Sequence, residues 1–328
     1  MKKYLMFAAV ATLMAACSSD DGPNVKNTTI QLRSGVEGAV TRTLNQDLQS
    51  TQVANGQKVW VEFTSSVTPT DPDAIGATDG LWSTTTAKAT AVYTADGAGA
   101  LSTTTMTKWP VKPASTETVD IKAWAPFAAA PSGTQSIKTD QSSEDDYKAS
   151  DYLYGSRTGI VNGDISSPIL ITFKHMLAKI VINVSSTVPN VDVQGSTVTF
   201  GNPAAANIVK DYTISNTDGS ITPNITNKAS IKVTGNLGAD GKCACIIVPQ
   251  TVSGMLFSIN VPDPTDQLGT TAAAKTKTYS LPLPTTKAYD AGKVYTYNVA
   301  IRTDATLIVL NETITNWDAQ TPEGVIAN

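Results

Sequence analysis

The sequence predicts an all-β protein built as two tandem β-sandwich domains. Three observations carry that expectation. Charged residues make up only 16% of the 328, while Thr, Ser, Val, Ala and Asn dominate and good helix formers are scarce, a balance that suits short strands joined by turns. Short runs alternate apolar with polar residues between clusters of Gly, Pro, Asn and Asp. The length favours two domains over one, and a long strand-like stretch near mid-chain, residues 168–184, is placed to tie them together.

The fold begins after a leader, residues 1–16. Lys2 and Lys3 form a positive start, residues 5–14 form an apolar core too short to span a bilayer, and Leu13-Met14-Ala15-Ala16-Cys17 sets small residues before a cysteine. This resembles a bacterial lipobox, which implies cleavage before Cys17 and lipidation of its thiol. Residues 17–27 read as an acidic, solvated tether; Ser18-Ser19-Asp20-Asp21 also resembles the surface-export signal of Bacteroidetes lipoproteins. Losing Lys2 and Lys3 takes the 24 basic residues to 22 against 28 acidic ones. That balance, with no basic patch interleaved with aromatics, excludes nucleic acid as a partner.

Residues 24–34 read as a first strand, with Thr28, Ile30 and Leu32 alternating against Thr29, Gln31 and Arg33. Residues 35–45 are Gly-rich and exposed in character. Residues 59–63 form a second strand and 64–80 a Pro- and Gly-containing loop. Residues 90–93 and 103–109 are weaker candidates, and 119–125 alternates cleanly up to Pro126. Residues 132–150 read as a polar surface excursion with a short helical turn. Residues 151–155 rejoin the sheet, and Asn162-Gly163-Asp164 is a turn.

In the central stretch Ile169, Ile171 and Phe173 share one parity, and Met176, Ala178, Ile180, Ile182 and Val184 share the other. An inserted residue flips a period-two pattern, so the reading is one long strand with a bulge or kink near His175. Further strands are expected over 191–200, 211–214, 231–234, 243–248, 256–261, 275–281, 293–301 and 307–314. The domains are then 28–165 and 166–328.

Few residues carry chemistry. Cys243 and Cys245 would share one strand face; a disulfide across one residue is badly strained and two thiols are too few for structural zinc, so they read as small buried hydrophobes. His175 is the single histidine. It leaves at most one triad base, and neither a Gly-x-Ser-x-Gly elbow nor a phosphate loop is present. The expectation is no enzyme and no cofactor. Glu144, Asp145 and Asp146 lack the spaced oxygen ligands of a calcium loop and read as a solvated cluster. Tyr295, Tyr297, Trp317, Trp124 and Phe173 read as core aromatics.

Several patterns together resemble one family. Besides Cys17 these are Val40-Thr41-Arg42, Ile121-Lys122-Ala123-Trp124-Ala125-Pro126-Phe127, Asp151-Tyr152-Leu153-Tyr154, Phe173-Lys174-His175-Met176-Leu177-Ala178-Lys179-Ile180, Ala291-Gly292-Lys293-Val294-Tyr295-Thr296-Tyr297 and Ile314-Thr315-Asn316-Trp317. In order and spacing they resemble the fimbrillin-like proteins of Bacteroidetes, subunits of type V pili. The resemblance implies transthyretin-like sandwiches, a lipoprotein anchored at the outer membrane, and assembly with other fimbrillin subunits into a surface fimbrium serving adhesion or biofilm formation. It further implies an arginine-specific protease that removes the first strand with its anchor, after which a neighbour's strand fills the gap. Arg42 is the first choice of cleavage site and Arg33, inside the first strand, the second. The donor strand would come from residues 305–314 or the tail after Trp317. Leu307, Ile308, Val309 and Leu310 are apolar on both faces, which suits burial between layers. His175 is carried over as structural only.

A monomeric outer-surface lipoprotein binding a glycan or host ligand is the rival reading. It would need exposed aromatics, and Trp82 and Trp109 are the candidates near turn-rich sequence.

Overall fold

The computed structural model describes residues 29–36, 52–110, 117–161, 168–187, 193–233, 241–262, 276–282, 286–302 and 307–317. In chain order the elements are β1 (Leu32–Val36), β2 (Lys58–Ser65), β3 (Lys88–Ala95), β4 (Leu101–Ser102), β5 (Thr118–Ala125), β6 (Thr134–Ser136), the single described helix α1 (Glu144–Ala149), β7 (Leu153–Val161) and β8 (Ile169–His175). They continue with β9 (Ala178–Ser186), β10 (Thr197–Phe200), β11 (Ile208–Ile214), β12 (Ile221–Ala229), β13 (Ile231–Lys232), β14 (Lys242–Ile247) and β15 (Gln250–Val252). β16 (Met255–Pro262), β17 (Thr276–Pro282), β18 (Lys287–Tyr289), β19 (Lys293–Ile301) and β20 (Leu307–Asn316) complete the set. The expected all-β class holds.

The first elements form one seven-stranded sheet in the order β1-β8-β7-β5-β2-β3-β4. Its strands alternate as their sequences do: Val59, Val61 and Phe63 of β2, Ala89, Ala91 and Tyr93 of β3, and Val119, Ile121 and Ala123 of β5 enter one buried cluster. The sheet curls until its ends meet. Beyond β8, β1 also reaches the β4 side through bridges from Thr29 to Lys108 and from Arg33 to Ala100. A curled sheet whose outer strands meet leaves no free edge there to recruit other chains.

The rest builds a second cluster between two four-stranded sheets, β13-β10-β16-β17 and β14-β9-β19-β20. Ring contacts cross it: Phe257 meets Tyr297 at 6.2 Å, and Phe200 meets Tyr289 of β18 at 5.8 Å edge-on. First-half side chains join this second core. Trp124 points away from the β5 face that lines the first cluster, and Trp60, Trp124 and Tyr154 stand side by side across β2, β5 and β7. β6 crosses over to pair with β11 in a separate sheet, β12-β11-β6.

The parity change in the central stretch has a different cause from the bulge expected. β8 and β9 are separate strands in separate sheets, joined through Met176 and Leu177. Ile169, Ile171 and Phe173 fill the first cluster, and Ala178, Ile180, Ile182 and Val184 fill the second. The buried face changes because the chain passes from one core to the next. β8, which the sequence reading set at the head of the C-terminal half, pairs with β1 and β7.

Residues 132–150 also differ from a plain surface excursion. α1 is present, capped by Ser143, whose Oγ accepts from the Asp146 N–H at 3.1 Å, but Ile137, Gln141 and Tyr147 are buried, and Gln141 bonds to Ile246 of β14. β12 escaped the sequence reading because its residues alternate on neither face.

Candidate functional site

β1 is a short strand held by distant parts of the chain. On one side it runs parallel to β8, with Leu32 opposite Ile169 and Val36 opposite Phe173, and the Ile169 N–H donates to Gln31 O at 2.8 Å. On the other side the Ile30 N–H donates to Thr107 O and the Ser34 N–H to Gly99 O, both at 2.8 Å. Ile30, Leu32, Ser34 and Val36 are buried. Gly99 permits the close approach: its φ is +107°, and a Cβ there would lie 2.8 Å from Gln52 Oε1 and 3.3 Å from Ser34 O. Among the described residues Gln52 Oε1 and Thr107 Oγ1, buried on this side of the slot, have no hydrogen-bond partner. Arg33 points outward from within the paired strand. Arg42, Cys17, the leader, the tether and the tail after Trp317 lie outside the described residues.

β20 occupies the opposite situation. Among the described residues it pairs along its length with β19 alone, from Leu307 opposite Ile301 to Asn316 opposite Lys293. Asn298 faces Asn311 while Val299 faces Val309, so Leu310 is the extra residue of a bulge. Within the single chain this stretch is not buried between layers. Leu307 is buried, but Val309 is 39%, Leu310 60% and Ile314 52% exposed. The apolar run sits on an edge strand that overhangs its core rather than on a central one. Lys287 and Glu312 form an ion pair at 2.5 Å beside it.

At the other edge of the same sheet, on β14, a side chain takes the place of a neighbouring strand at one residue. Gln141 is fully buried, and its side-chain amide pairs with both backbone groups of Ile246 on β14, accepting at 2.8 Å and donating at 2.8 Å. Gln250 does the same for Val209, at 2.7 and 3.0 Å. Both glutamines escaped the sequence reading, since a lone Gln carries no periodic signal.

His175 ends β8 where the two cores meet. Its Nδ1 lies 2.9 Å from Asp151 Oδ1, with both side chains buried. Trp317, just past β20, stacks on the imidazole with centroids 3.8 Å apart and planes 5° apart. Lys179 Nζ lies 5.6 Å from the same indole. The histidine is hydrogen-bonded as expected, and the stacking on Trp317 is new.

Other expected residues fall in the interior. Trp124, Phe173, Tyr295 and Tyr297 are core, and Cys243 and Cys245 are buried free thiols; burial, with the neighbouring Cys243, pushes the Cys245 thiol well up. Trp82 and Trp109 are 0% and 4% exposed, and the Trp82 indole N–H donates to Lys108 O at 2.8 Å. Glu144, Asp145 and Asp146 form the first turn of α1. Among the described residues no group of three or more His, Cys, Asp or Glu side chains is placed to hold a metal ion.

A first strand inserted between distant neighbours and an edge strand left open define an all-β protein whose notable surfaces are backbone edges. The chain belongs to the fimbrillin-like family, whose model matches residues 41–317, and the resemblance read from the motifs holds. Its fold is that of a candidate cell adhesion protein from Bacteroides ovatus, with TM-score 0.60 at 15% identity over 90% of this chain and 100% of that one. A candidate cell adhesion protein from Bacteroides uniformis gives 0.57 at 16% identity, over 88% and 98%. No curated protein matches the sequence. A fimbrillin-like family is one of fimbrial proteins, which associate with other fimbrial subunits.

Proposed function

We propose that this chain is a structural subunit of surface fimbriae that assembles by loss of β1 and acceptance of a strand from the next subunit. The observation that carries the reading is the setting of β1, inserted between β8 and residues 99–108 and followed by the segment that contains Arg42. Of the other arginines Arg33 lies in β1, Arg157 in β7 and Arg302 directly after β19, which favours Arg42 as the protease site. Cys17 is the lipid anchor at the outer membrane until that cut releases the mature chain. The role requires no enzyme chemistry and no cofactor.

The energetics favour exchange. Burying Ile30, Leu32 and Val36 stabilises by about 1.5–3 kcal/mol each, so an emptied slot is a sticky groove with unpaired backbone on both walls. β20, the proposed donor around Leu307, Ile308, Val309 and Leu310, gives up little apolar burial at Val309, Leu310 and Ile314 by leaving, because these are already exposed. Moving such a strand into a neighbour's slot buries its apolar side chains and completes the ladder, which is β-augmentation. A head-to-tail contact of this kind does not close and therefore grows a filament. The orphaned Gln52 and Thr107 oxygens would suit a strand that brings hydrogen-bond donors. A glycan-binding lipoprotein is disfavoured by the burial of Trp82 and Trp109.

Treating the folded, signal-less protein with an arginine-specific protease under native conditions tests the reading. The expected result is one early cut after Arg42, loss of the β1 fragment and concentration-dependent multimers. A chain that resists cutting at Arg42 and stays monomeric would overturn it.

A further inference from the structure

β20 is held unevenly. The ladder to β19 runs along one side, Leu307 is buried at one end, residues 309–316 are exposed, and Trp317 is half-buried beyond the other end. We infer that Trp317 is the positioning residue that retains β20, docked in a seat formed by His175, Lys179 and Gly292 at the point where the two cores meet.

The seat draws on four places in the fold. His175 is the last residue of β8 and supplies the flat surface under the indole at 3.8 Å. Asp151, directly after the α1 cap, fixes that imidazole through the 2.9 Å contact to Nδ1. Lys179, near the start of β9 and itself buried, sets its ammonium toward the indole at 5.6 Å, within the range of a cation–π contact. The turn before β19 completes it: the Trp317 N–H donates to Gly292 O at 2.7 Å, and the Gly292 N–H donates to Leu177 O at 2.8 Å.

The end of β20 is therefore anchored beyond its ladder to β19, on the end of β8 and the start of β9. An exposed edge strand frays readily when its ends are free; here its distal end is fixed by ring stacking, a cation–π contact and one backbone hydrogen bond. Undocking Trp317 removes these together and leaves β20 held by its ladder, the buried Leu307 and the Lys287–Glu312 ion pair. This inference rests on the strand-exchange reading only for its consequence, that seating of Trp317 sets how fast a cut subunit donates its strand. The seat itself is a property of the uncut monomer.

Hydrogen exchange on the intact, signal-less chain tests it. In Trp317→Ala the amides of residues 307–316 should exchange roughly 10- to 100-fold faster, the range that a lost stack and cation–π contact allow, while those of β2 and β5 keep their wild-type rates. Trp317→Phe, which keeps a ring over His175, should retain most of the protection. His175→Phe, which keeps the stack but loses the Asp151 contact, should fall between. Unchanged exchange over 307–316 in Trp317→Ala, or acceleration spread evenly over all strands, overturns the seat. The consequence is read separately, as faster multimer growth of Trp317→Ala after cutting at Arg42. If wild-type protein never multimerises while β20 loosens as stated, the strand-exchange reading fails and the seat stands.

Discussion

Gln141 and Ile246 pair as two strand residues would, although one partner is a side chain. The Ile246 N–H donates to Gln141 Oε1 and Gln141 Nε2 donates to Ile246 O, both at 2.8 Å and both buried. The contact satisfies the outer backbone groups of Ile246 on one edge strand of the sheet, whose other edge strand among the described residues is β20. Gln141→Leu keeps the approximate volume and strands two buried backbone groups. An unsatisfied buried group costs about 1–3 kcal/mol, so two predict a loss of about 2–6 kcal/mol in urea unfolding. A change within 0.5 kcal/mol, the ordinary range for surface substitutions, would mean that water replaces the amide.

The slot makes a second prediction, about retention of β1 once it is cut. Leu32 is buried opposite Ile169, and an aspartate there would place a carboxylate in an apolar wall. After cleavage at Arg42 the wild-type fragment should leave slowly, held by its two ladders and its buried side chains. With Leu32→Asp it should leave at least about 30-fold faster, the equivalent of one lost leucine burial of about 2 kcal/mol. Size exclusion followed by mass measurement of the retained fragment reads the difference. Equal retention would place the holding energy in the backbone ladders alone.

Gly155 fixes how closely β7 approaches β8. A Cβ there would lie 2.8 Å from Ile171 Cγ2 and 2.9 Å from Thr172 O, one of them a backbone atom that cannot swing aside. Gly155→Ala therefore forces the strands apart beside Phe173. Overpacking of this kind costs about 1–3 kcal/mol, to be seen as a lower unfolding midpoint with an unchanged slope. Because β8 is one wall of the slot, the same variant should also release a cut β1 faster than wild type does.

How much of this was legible depended on whether a feature left a local pattern. β2, β5 and β19 were readable because each sets alternate side chains into a core, as in residues 59–63, 119–125 and 293–301. The parity change after His175 was visible too, but a shift of parity looks the same whether a residue bulges or the chain enters another core. β20 was read as buried because four apolar residues in a row suit a central strand; which strand becomes an edge depends on pairing, and nothing local encodes that. The slot required Ser34 to meet Gly99 and Ile30 to meet Thr107, pairings across long loops. Gln141, Gln250 and the stack of Trp317 on His175 are single side chains meeting distant backbone or rings, and no periodicity announces them.

Asp211 yields the prediction with a pH axis. It sits on β11 between β6 and β12, accepting from Ser136 Oγ at 2.6 Å, from Lys210 Nζ at 2.9 Å and from the Asn227 side-chain amide. Burial alone would raise its carboxyl pKa, but the hydrogen bonds from Ser136, Lys210 and Asn227 and the charge of Lys210 outweigh it and hold the group below the usual carboxylate range. A carboxyl whose folded pKa is depressed stabilises above its unfolded value, about 3.9, and that contribution is lost as pH falls through the folded pKa. Asp211→Asn keeps the shape and removes the charge. At pH 7 it should cost about 1–3 kcal/mol, the worth of hydrogen bonds to a charged group. The gap to wild type should shrink steadily below pH 4 as the wild-type carboxyl protonates. Urea unfolding of both proteins at pH 7, 4 and 2.5 measures it. A gap that stays constant across the three would place the cost in packing, and the ionised carboxylate would not be what joins β6, from the first half of the chain, to the sheet of the second.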